Sequence, residues 1–331
     1  IGFLIKLGAF GVHVWLPGAY SEAEDDFSAI ISSVLSKVGI FGLFLIAMWM
    51  GSQHIGSVDI AHIIGWFGVL TAFFGALMAV FQEDIKPMLA YSSMGQIGYI
   101  VLAFAMMSHL GWTTALYLSI THLLFKAMLF LAIAGVVLRT KTRKMYEMGG
   151  LIKQMPFSFI SVLIAIIALS GVPPLSGFGG KWLLYTALLE KGWYLQLGVA
   201  FFASGEAFLY LVRLIHTIFL GQPKPALKHV KEAPFLMLLP QYICIMVIMA
   251  ISMFPNLIVK PLSQAVAPYH ASTIEWVGFT VKSALGYWNG LAVMNTTMII
   301  FAIPLIWLLL VMRKPQSVKQ FNIVYAAERP D

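Results

Sequence analysis

Long apolar segments, separated by short polar connections, constrain the fold of this chain more than any other feature. A helix needs about 20 apolar residues to cross about 30 Å of hydrocarbon. We therefore expect an all-α polytopic membrane protein with about nine transmembrane helices, two of them broken. The predicted crossings are 1–17, 28–51, 60–82, 89–108, 112–138, 157–189, 193–220, 233–254 and 289–312.

The composition agrees with a membrane protein and excludes most other classes. Of the 331 residues, 60% are hydrophobic and only 11% are charged, against about 25% charged in a soluble domain. The net charge of +7 does not indicate nucleic-acid binding, because the basic residues lie between apolar segments. Cys244 is the single cysteine, and no Gly-rich phosphate loop or ligand cluster accompanies it. We expect no cofactor, no metal and no nucleic-acid partner.

Basic residues are unevenly divided between alternate loops. Thirteen lie in the loops after odd-numbered crossings and in the C-terminal tail, and three lie in the other loops. The positive-inside rule places the richer set in the cytoplasm. We therefore expect an integral membrane protein of a prokaryotic cell (inner) membrane with a cytoplasmic C-terminus. The chain begins with Ile1 inside an apolar segment, so we expect it to be the later part of a longer protein.

Two predicted crossings contain helix-breaking residues and run in opposite directions through the membrane. Proline and glycine leave backbone groups without partners, which survive at membrane depth only inside protein or beside a wet cavity. Broken helices of opposite sense predict an inverted repeat with a transport site, of which only the second half would be complete here. The breaking residues singled out are Pro17 in the first segment and Pro173, Pro174, Gly179 and Gly180 in the second.

Five cationic residues lie inside the predicted crossings, where each charge costs about 2.5–3.5 kcal/mol on insertion scales. Together they predict a polar, hydrated interior. They are Lys6, Lys37, Lys126, Lys181 and Arg213.

Lys6 and Lys37 are candidate proton-transfer residues. Lys6 precedes the first helix break, and His13 follows at i+7 on the expected helical face. The alternative for Lys6 is that its side chain extends to the membrane surface. Lys37 lies about ten residues into its crossing, and the alternative for it is a structural hydrogen bond.

His122, Lys126 and Lys181 are the other candidates. His122 and Lys126 are spaced i, i+4 and share a helical face. A neutral imidazole can accept and pass on a proton, and a desolvated lysine can exchange one near neutral pH. A satisfied core histidine is the alternative for His122. Lys181 follows the second break, where Gly179 and Gly180 are expected to leave room for water around the ammonium.

Glu206, Arg213 and His216 share one crossing and form a secondary set. Glu206 and Arg213 are spaced i, i+7, and an internal ion pair or anchoring at the cytoplasmic surface is the simpler interpretation. Arginine does not titrate usefully in proteins.

At these residues the chain resembles a known family. Leu7 to Pro17, ending Val-His-Val-Trp-Leu-Pro, is similar to the "P-x-H-x-W-L-P" segment of antiporter-like subunits, and Phe81 to Gly98 resembles their "Q-x-D-x-K-R-x-L-A-Y-S-S" loop. His122 to Phe130 matches "H-x-x-F-K-A-x-L-F". Gly149-Gly-Leu, Met155-Pro156 and Gly171-Val-Pro-Pro-Leu-Ser-Gly-Phe178 with Lys181 complete the series. The family comprises the proton-pumping membrane subunits of respiratory complex I and relatives in multisubunit cation/proton antiporters and membrane-bound hydrogenases.

The resemblance covers roughly residues 1–255 and assigns roles to the candidates. It implies that Lys6 is the central lysine of the first half-channel and that Lys37 is the bridging lysine. His122 and Lys126 would link to the second half-channel, and Lys181 would be its terminal exchange residue. Pro87 departs from the family pattern, which has arginine there. The glutamate that normally partners the central lysine would lie upstream of residue 1.

The expected domains are an antiporter-like proton-channel core at 1–255 and an extra transmembrane helix with a basic tail at 256–331. The resemblance implies a subunit without a redox centre that moves protons in a redox-driven complex, either an NADH:quinone oxidoreductase or a membrane-bound hydrogenase. The alternative is a subunit of a multisubunit Na⁺/H⁺ antiporter with no redox partner. A scaffold that has lost conduction is a third possibility, disfavoured because all five Lys and His candidates are retained. The expected partners are other membrane subunits, the lipid bilayer and protons, with Na⁺ left open.

Overall fold

The structure, a computed structural model, describes residues 1–50, 54–55 and 58–311. Within these residues, seven continuous helices are long and apolar enough to cross a membrane. The other two predicted crossings, 1–17 and 157–189, are the interrupted segments, and each is divided between two shorter helices. The tail residues Arg313, Lys314, Lys319 and Arg329 lie outside the described residues.

Helices and strands are labelled here in chain order. The helices are α1 (Gly2–Leu7), α2 (Trp15–Glu22), α3 (Asp25–Ile30), α4 (Lys37–Met50), α5 (Ile60–Val80), α6 (Ile85–Ala105), α7 (His109–Thr140), α8 (Pro156–Ser170), α9 (Ser176–Lys191), α10 (Tyr194–Ile215), α11 (Phe235–Met253), α12 (Asn256–Val266) and α13 (Gly290–Val311). The strands are β1 (His54–Ile55), β2 (Val58–Asp59), β3 (Glu275–Val277), β4 (Thr280–Ser283) and β5 (Gly286–Asn289). Segments of π-helix at Ile31–Leu35 and His216–Leu220 continue the helices before them.

The first interruption separates α1 from α2 and is made by glycine. Gly8 and Gly11 have φ of 68° and 86°, a left-handed conformation that other residues adopt only with strain. Pro17 was expected at the break, but it is the third residue of α2. Proline is tolerated there because amide groups of the first helical turn have no partner within the helix.

The second interruption separates α8 from α9. Gly171 ends α8 with φ 74°, and a cis peptide bond joins Pro173 and Pro174 in the connection. Gly179 and Gly180 were also predicted at this break, but both lie inside the start of α9. Their role is close packing rather than interruption.

Helix α6 is the centre of the bundle, with nearly every side chain buried. It meets α5 backbone to backbone along a line of glycines. A Cβ atom added to Gly98 would lie 2.2 Å from the Ala72 nitrogen, and one on Gly75 would lie 2.4 Å from the Gly95 nitrogen. Small residues allow this approach, and van der Waals packing drives helix association where no hydrophobic force acts between helices.

Three connections pack together at one end of the bundle, which we call the basic end because two of them carry basic residues. It comprises residues 81–84, 141–155 and 221–234. The Ile85 amide donates to the Arg143 carbonyl at 3.1 Å, and Gly149 lies against the Gln222 carbonyl. The opposite end, which we call the α12 end, includes α12, whose Ser263 carbonyl lies 3.0 Å from Nε2 of His109 at the start of α7.

Residues 256–289 hold structure that the sequence analysis did not predict. α12 packs across α7, and β3, β4 and β5 form an antiparallel sheet. The sheet reaches the bundle through Trp288 on β5. Its indole occupies the space beside Gly179, where an added Cβ would lie 2.0 Å from the ring. The described residues are therefore all-α except for the short strands β1 to β5.

Candidate functional site

The π-helical segment before α4 positions Lys37. A π-turn displaces the backbone hydrogen-bond ladder, and such turns are frequent at functional sites. The Lys37 Nζ donates to the Ser32 carbonyl at 3.2 Å and to the Ser36 hydroxyl at 3.0 Å. It also makes a short hydrogen bond to Nδ1 of His122. Ser32 in turn bonds to Ser93 of α6 at 2.8 Å, which ties this segment to the centre of the bundle.

His122 and Lys126 lie one turn apart on α7, and both are buried. His122 uses Nδ1 for Lys37, while its Nε2 has no hydrogen-bond partner among the described residues. Lys126 donates to the Leu89 carbonyl at 3.1 Å and to the hydroxyl of Ser92. The predicted i, i+4 pair is therefore part of a polar row through α4, α7 and α6.

Lys181 lies separately, at the second helix break. Its Nζ donates to the Ser170 carbonyl at 2.6 Å, which is the last carbonyl of α8. The side-chain stem lies against Gly171, where an added Cβ would be 2.4 Å from the lysine Cδ. The interruption thus creates both the acceptor and the space for Lys181.

The reason given for Gly179 and Gly180 in the sequence analysis is wrong. Protein side chains fill the space beside both glycines: the Trp288 ring at Gly179, and Leu118 at Gly180. A cavity of about 470 Å³ does adjoin Lys181, but on another side, between α9 and α10. Its polar lining includes Ser170, Tyr185 and Ser204, and its rim carries exposed phenylalanines.

Lys6 and His13 are not brought to this row. Lys6 is exposed on α1, and the described residues offer it no hydrogen bond or ion pair. The expected shared face is absent because α1 ends at Leu7 and the left-handed Gly8 turns the chain. His13 lies in the connection between the helices, where its ring stacks on Phe10 at 6.0 Å.

The secondary set on α10 separates into three environments. Glu206 is buried, Arg213 is half-buried and His216 is exposed. No ion pair joins Glu206 to Arg213 in the described part of the chain. Arg213 instead donates to the carbonyls of Ala79 and Gln82 at the end of α5, which agrees with the anchoring alternative.

Sequence reasoning missed the contacts of Ser92 and Lys86. Ser92 accepts a hydrogen bond from Lys126. The sequence signal for it was weak: its position next to Ser93 on the same helix. Lys86 was treated as a loop residue, but it is buried and forms a 2.6 Å ion pair with Asp25. Its Nζ also donates to the Ala23 carbonyl at 2.6 Å, which ties α6 to the connection before α3.

Chemically, the row can move a proton without a metal or a cofactor. An ammonium at Lys37 and a neutral imidazole at His122 share one hydrogen bond, so transfer yields an amine and an imidazolium with no change in total charge. Lys126 follows one turn along α7, and its own acceptors are a hydroxyl and a carbonyl. Ionisable groups inside membrane helices typically mark ion pathways and proton relays.

Comparison with known proteins identifies a family that matches this chain. The family described as "NADH:quinone oxidoreductase/Mrp antiporter, TM" matches residues 1–205. That match covers more than half of the chain and includes Lys37, His122, Lys126 and Lys181. The chain belongs to this family.

Two curated relatives and one solved structure illustrate the range of this antiporter-type family. NADH-quinone oxidoreductase subunit N of Desulforudis audaxviator is 31% identical over 235 residues, which are 70% of this chain and 47% of that protein. A Na⁺/H⁺ antiporter subunit of Alkalihalophilus pseudofirmus is 30% identical over 321 residues, which are 85% of this chain and 39% of that protein. A chain of the archaeal membrane-bound sulfane sulfur reductase, a respiratory membrane complex, matches with TM-score 0.86 and 30% identity over 99% of this chain and 55% of that chain. The present chain thus spans about half the length of these relatives.

Proposed function

We propose that this chain supplies a proton-conducting part of an antiporter-like subunit in a redox-driven membrane complex. The observation that carries the proposal is the row Lys37–His122–Lys126, in which Lys37 bonds to His122 and Lys126 bonds to Ser92 of α6. Lys181, beside a helix break and a cavity, would be the terminal exchange group. Relatives named as subunits of respiratory complexes support the redox-driven assignment.

A subunit of a Na⁺/H⁺ antiporter without a redox partner is the second candidate. It is supported by the similarity to the Na⁺/H⁺ antiporter subunit of Alkalihalophilus pseudofirmus. Co-purifying subunits separate the two: a quinone-reducing or hydrogenase module supports the first, and only other transporter subunits support the second.

The orientation and the division of the chain are part of the proposal. The positive-inside bias puts the basic end and the C-terminus in the cytoplasm, in a prokaryotic cell (inner) membrane. We retain 1–255 as the conducting core and 256–331 as an addition, of which α12 and Trp288 of β5 pack on the core. Lys6 enters the proposal through the family resemblance alone, as the central lysine of the first half-channel.

The test is proton translocation by the complex that contains this chain, purified and reconstituted into liposomes. His122→Ala and Lys181→Ala should each lower protons moved per turnover by about tenfold or more, because positioned acid–base groups commonly contribute 10²–10⁴-fold. Subunit content should be unchanged.

Matched controls use the same substitutions at exposed positions. Lys191→Ala, at the far end of α9, and His229→Ala, in the basic end, are both exposed and should translocate protons like the unmodified complex. If His122→Ala and Lys181→Ala match these controls, the proposed pathway is wrong.

A further inference from the structure

The row ending at Lys126 and the site of Lys181 lie on different helices, and no contact joins the two lysines in the described residues. Helices α6 and α10 run antiparallel between them. On the Lys126 side, Ser92 of α6 accepts from the lysine, and the hydroxyl of Tyr210 on α10 interacts with the same serine. Tyr210 is 1% exposed, so its hydroxyl is screened from lipid and solvent.

On the Lys181 side, Tyr99 provides the contact. It lies seven residues after Ser92, two turns along the same face of α6. The Lys181 Nζ lies over its ring, 5.6 Å from the centroid, a distance at which the ring attracts a cation. The Tyr99 hydroxyl donates to the Ala200 carbonyl at 3.2 Å and lies 3.4 Å from the Ser204 hydroxyl. Ser204 also bonds Tyr185, which shares the cavity with Lys181.

Along the sequence of α10, Glu206 lies between Ser204 and Tyr210. It lies one turn before Tyr210 and two residues after Ser204 on α10, and Tyr99 interacts electrostatically with both Glu206 and Tyr210. Glu206 is 7% exposed. Oε2 of Glu206 has no hydrogen-bond partner among the described residues.

This carboxyl group lacks the stabilisation that a buried acid usually has. Arg213, the cation on the same helix as Glu206, instead donates to the carbonyls at the end of α5. A buried charge without a partner is costly. A carboxyl group inside a membrane helix typically marks an ion pathway or a proton relay.

We propose that Glu206 is the proton carrier between Lys126 and Lys181, with Tyr210 and Tyr99 as hydroxyl groups on its two sides. In the first step an N–H bond of the Lys126 ammonium breaks and an O–H bond forms on the Glu206 carboxylate, leaving an amine and a neutral acid. In the second step that O–H bond breaks and an N–H bond forms on the Lys181 amine. This assignment rests on the proposed function, since it joins two parts of the same pathway.

Glu206→Gln in the reconstituted complex is the main test, because it preserves shape and removes the titrating proton. We expect protons moved per turnover to fall about tenfold or more, and Glu206→Asp to restore at least half of the activity. Glu190→Gln, on the exposed end of α9, is the matched control and should be unaffected. Infrared difference spectra during turnover should contain a carboxyl C=O band that Glu206→Gln removes.

The outcomes separate this inference from the proposed function. Full activity of Glu206→Gln together with loss in Lys181→Ala overturns the Glu206 assignment and leaves the pathway intact. Full activity of both overturns the pathway and the assignment together. Loss in Glu206→Gln with an unchanged carboxyl band overturns the carrier role, since the residue would then be structural.

A second variant keeps the test decisive if Glu206→Gln fails to assemble. Tyr99→Phe and Tyr210→Phe each remove one hydroxyl and keep the ring. Each should lower proton transfer several-fold, whereas Tyr194→Phe, exposed at the start of α10, should not. Wild-type transfer in both buried variants overturns the inference.

Discussion

At the scale of single residues, the break between α8 and α9 provides both a hydrogen-bond acceptor and space for Lys181. The carbonyl of Ser170 is free to accept from Lys181 because α8 stops there. Gly171 then turns the chain with φ 74° and leaves the space that the lysine stem fills. A buried ammonium needs such an acceptor, since an unpaired charge at membrane depth is costly.

Gly171→Ala should therefore impair proton transfer through Lys181. The new Cβ would lie 2.4 Å from Lys181 Cδ, so the stem must shift away from its acceptor, and the positive φ adds about 1 kcal/mol of backbone strain. We expect protons moved per turnover in the reconstituted complex to fall several-fold.

Gly192→Ala is the matched control for this prediction. Gly192 has nearly the same φ, 75°, but an added Cβ would meet nothing within 4 Å. It carries the backbone strain without disturbing the lysine. Equal proton transfer in the two variants would show that the position of the Lys181 stem is unimportant.

The sequence identified individual residues better than their partners. Lys37, His122, Lys126 and Lys181 are conspicuous because charge and imidazole are rare in apolar segments. The contact of Lys37 with His122 spans 85 residues of sequence, and no local pattern encodes it. Ser92, Tyr99 and Tyr210 were missed because hydroxyl residues are common in membrane helices and carry no charge.

At the scale of elements, the three-stranded sheet supports the broken helix. Trp288 of β5 is 3% exposed. Its ring fills the notch at Gly179 and lies 6.0 Å from the ring of Tyr117. The Tyr117 hydroxyl donates to the Ser176 carbonyl at 3.2 Å. The start of α9, which carries Lys181, is thus held on two sides by β5 and α7.

Trp288→Ala should loosen the start of α9. Large-to-small substitutions of a buried aromatic residue typically cost about 3–5 kcal/mol. Here we expect that cost to be expressed locally, as faster hydrogen exchange at residues 176–182. Trp288→Phe should restore part of the protection because it refills much of the notch.

The comparison segment for this prediction is the far half of α6. Exchange at residues 85–92 should be unchanged in Trp288→Ala, since Trp288 does not contact them. Wild-type exchange at 176–182 would contradict a supporting role for the sheet.

The sheet was not predicted for a physical reason. Its strands are only three or four residues long, too short for an alternating pattern to stand out from a loop. The long crossings were predictable because hydrophobicity sustained over about 20 residues has few other interpretations. Pro17 was misplaced because proline signals a helix start as well as a helix break.

At the scale of the whole molecule, one helix organises both parts of the candidate pathway. α6 supplies Ser92 to Lys126 and Tyr99 to Lys181, and it also holds the π-helical segment through Ser93. Its own position is set by backbone contact with α5 along the glycine line. The positions of Ser92, Ser93 and Tyr99 therefore depend on the packing of α6 against α5.

Gly98→Ala tests this dependence, because the added Cβ would lie 2.2 Å from the Ala72 nitrogen and 2.6 Å from the Gly68 carbonyl oxygen. Neither atom belongs to a flexible side chain, so the two helices must separate. Overpacking of this kind typically costs about 1–3 kcal/mol, and we expect a lower thermal unfolding midpoint together with reduced proton transfer.

Gly198→Ala on α10 is the control: its Cβ would meet nothing within 4 Å, and alanine favours the helix by about 1 kcal/mol. Because displacement of α6 separates Ser92 from Lys126 and Tyr99 from Lys181 together, proton transfer should fall in the intact, assembled complex. A Gly98→Ala complex as stable and as active as the Gly198→Ala complex would show that the pathway does not depend on the close α5–α6 contact.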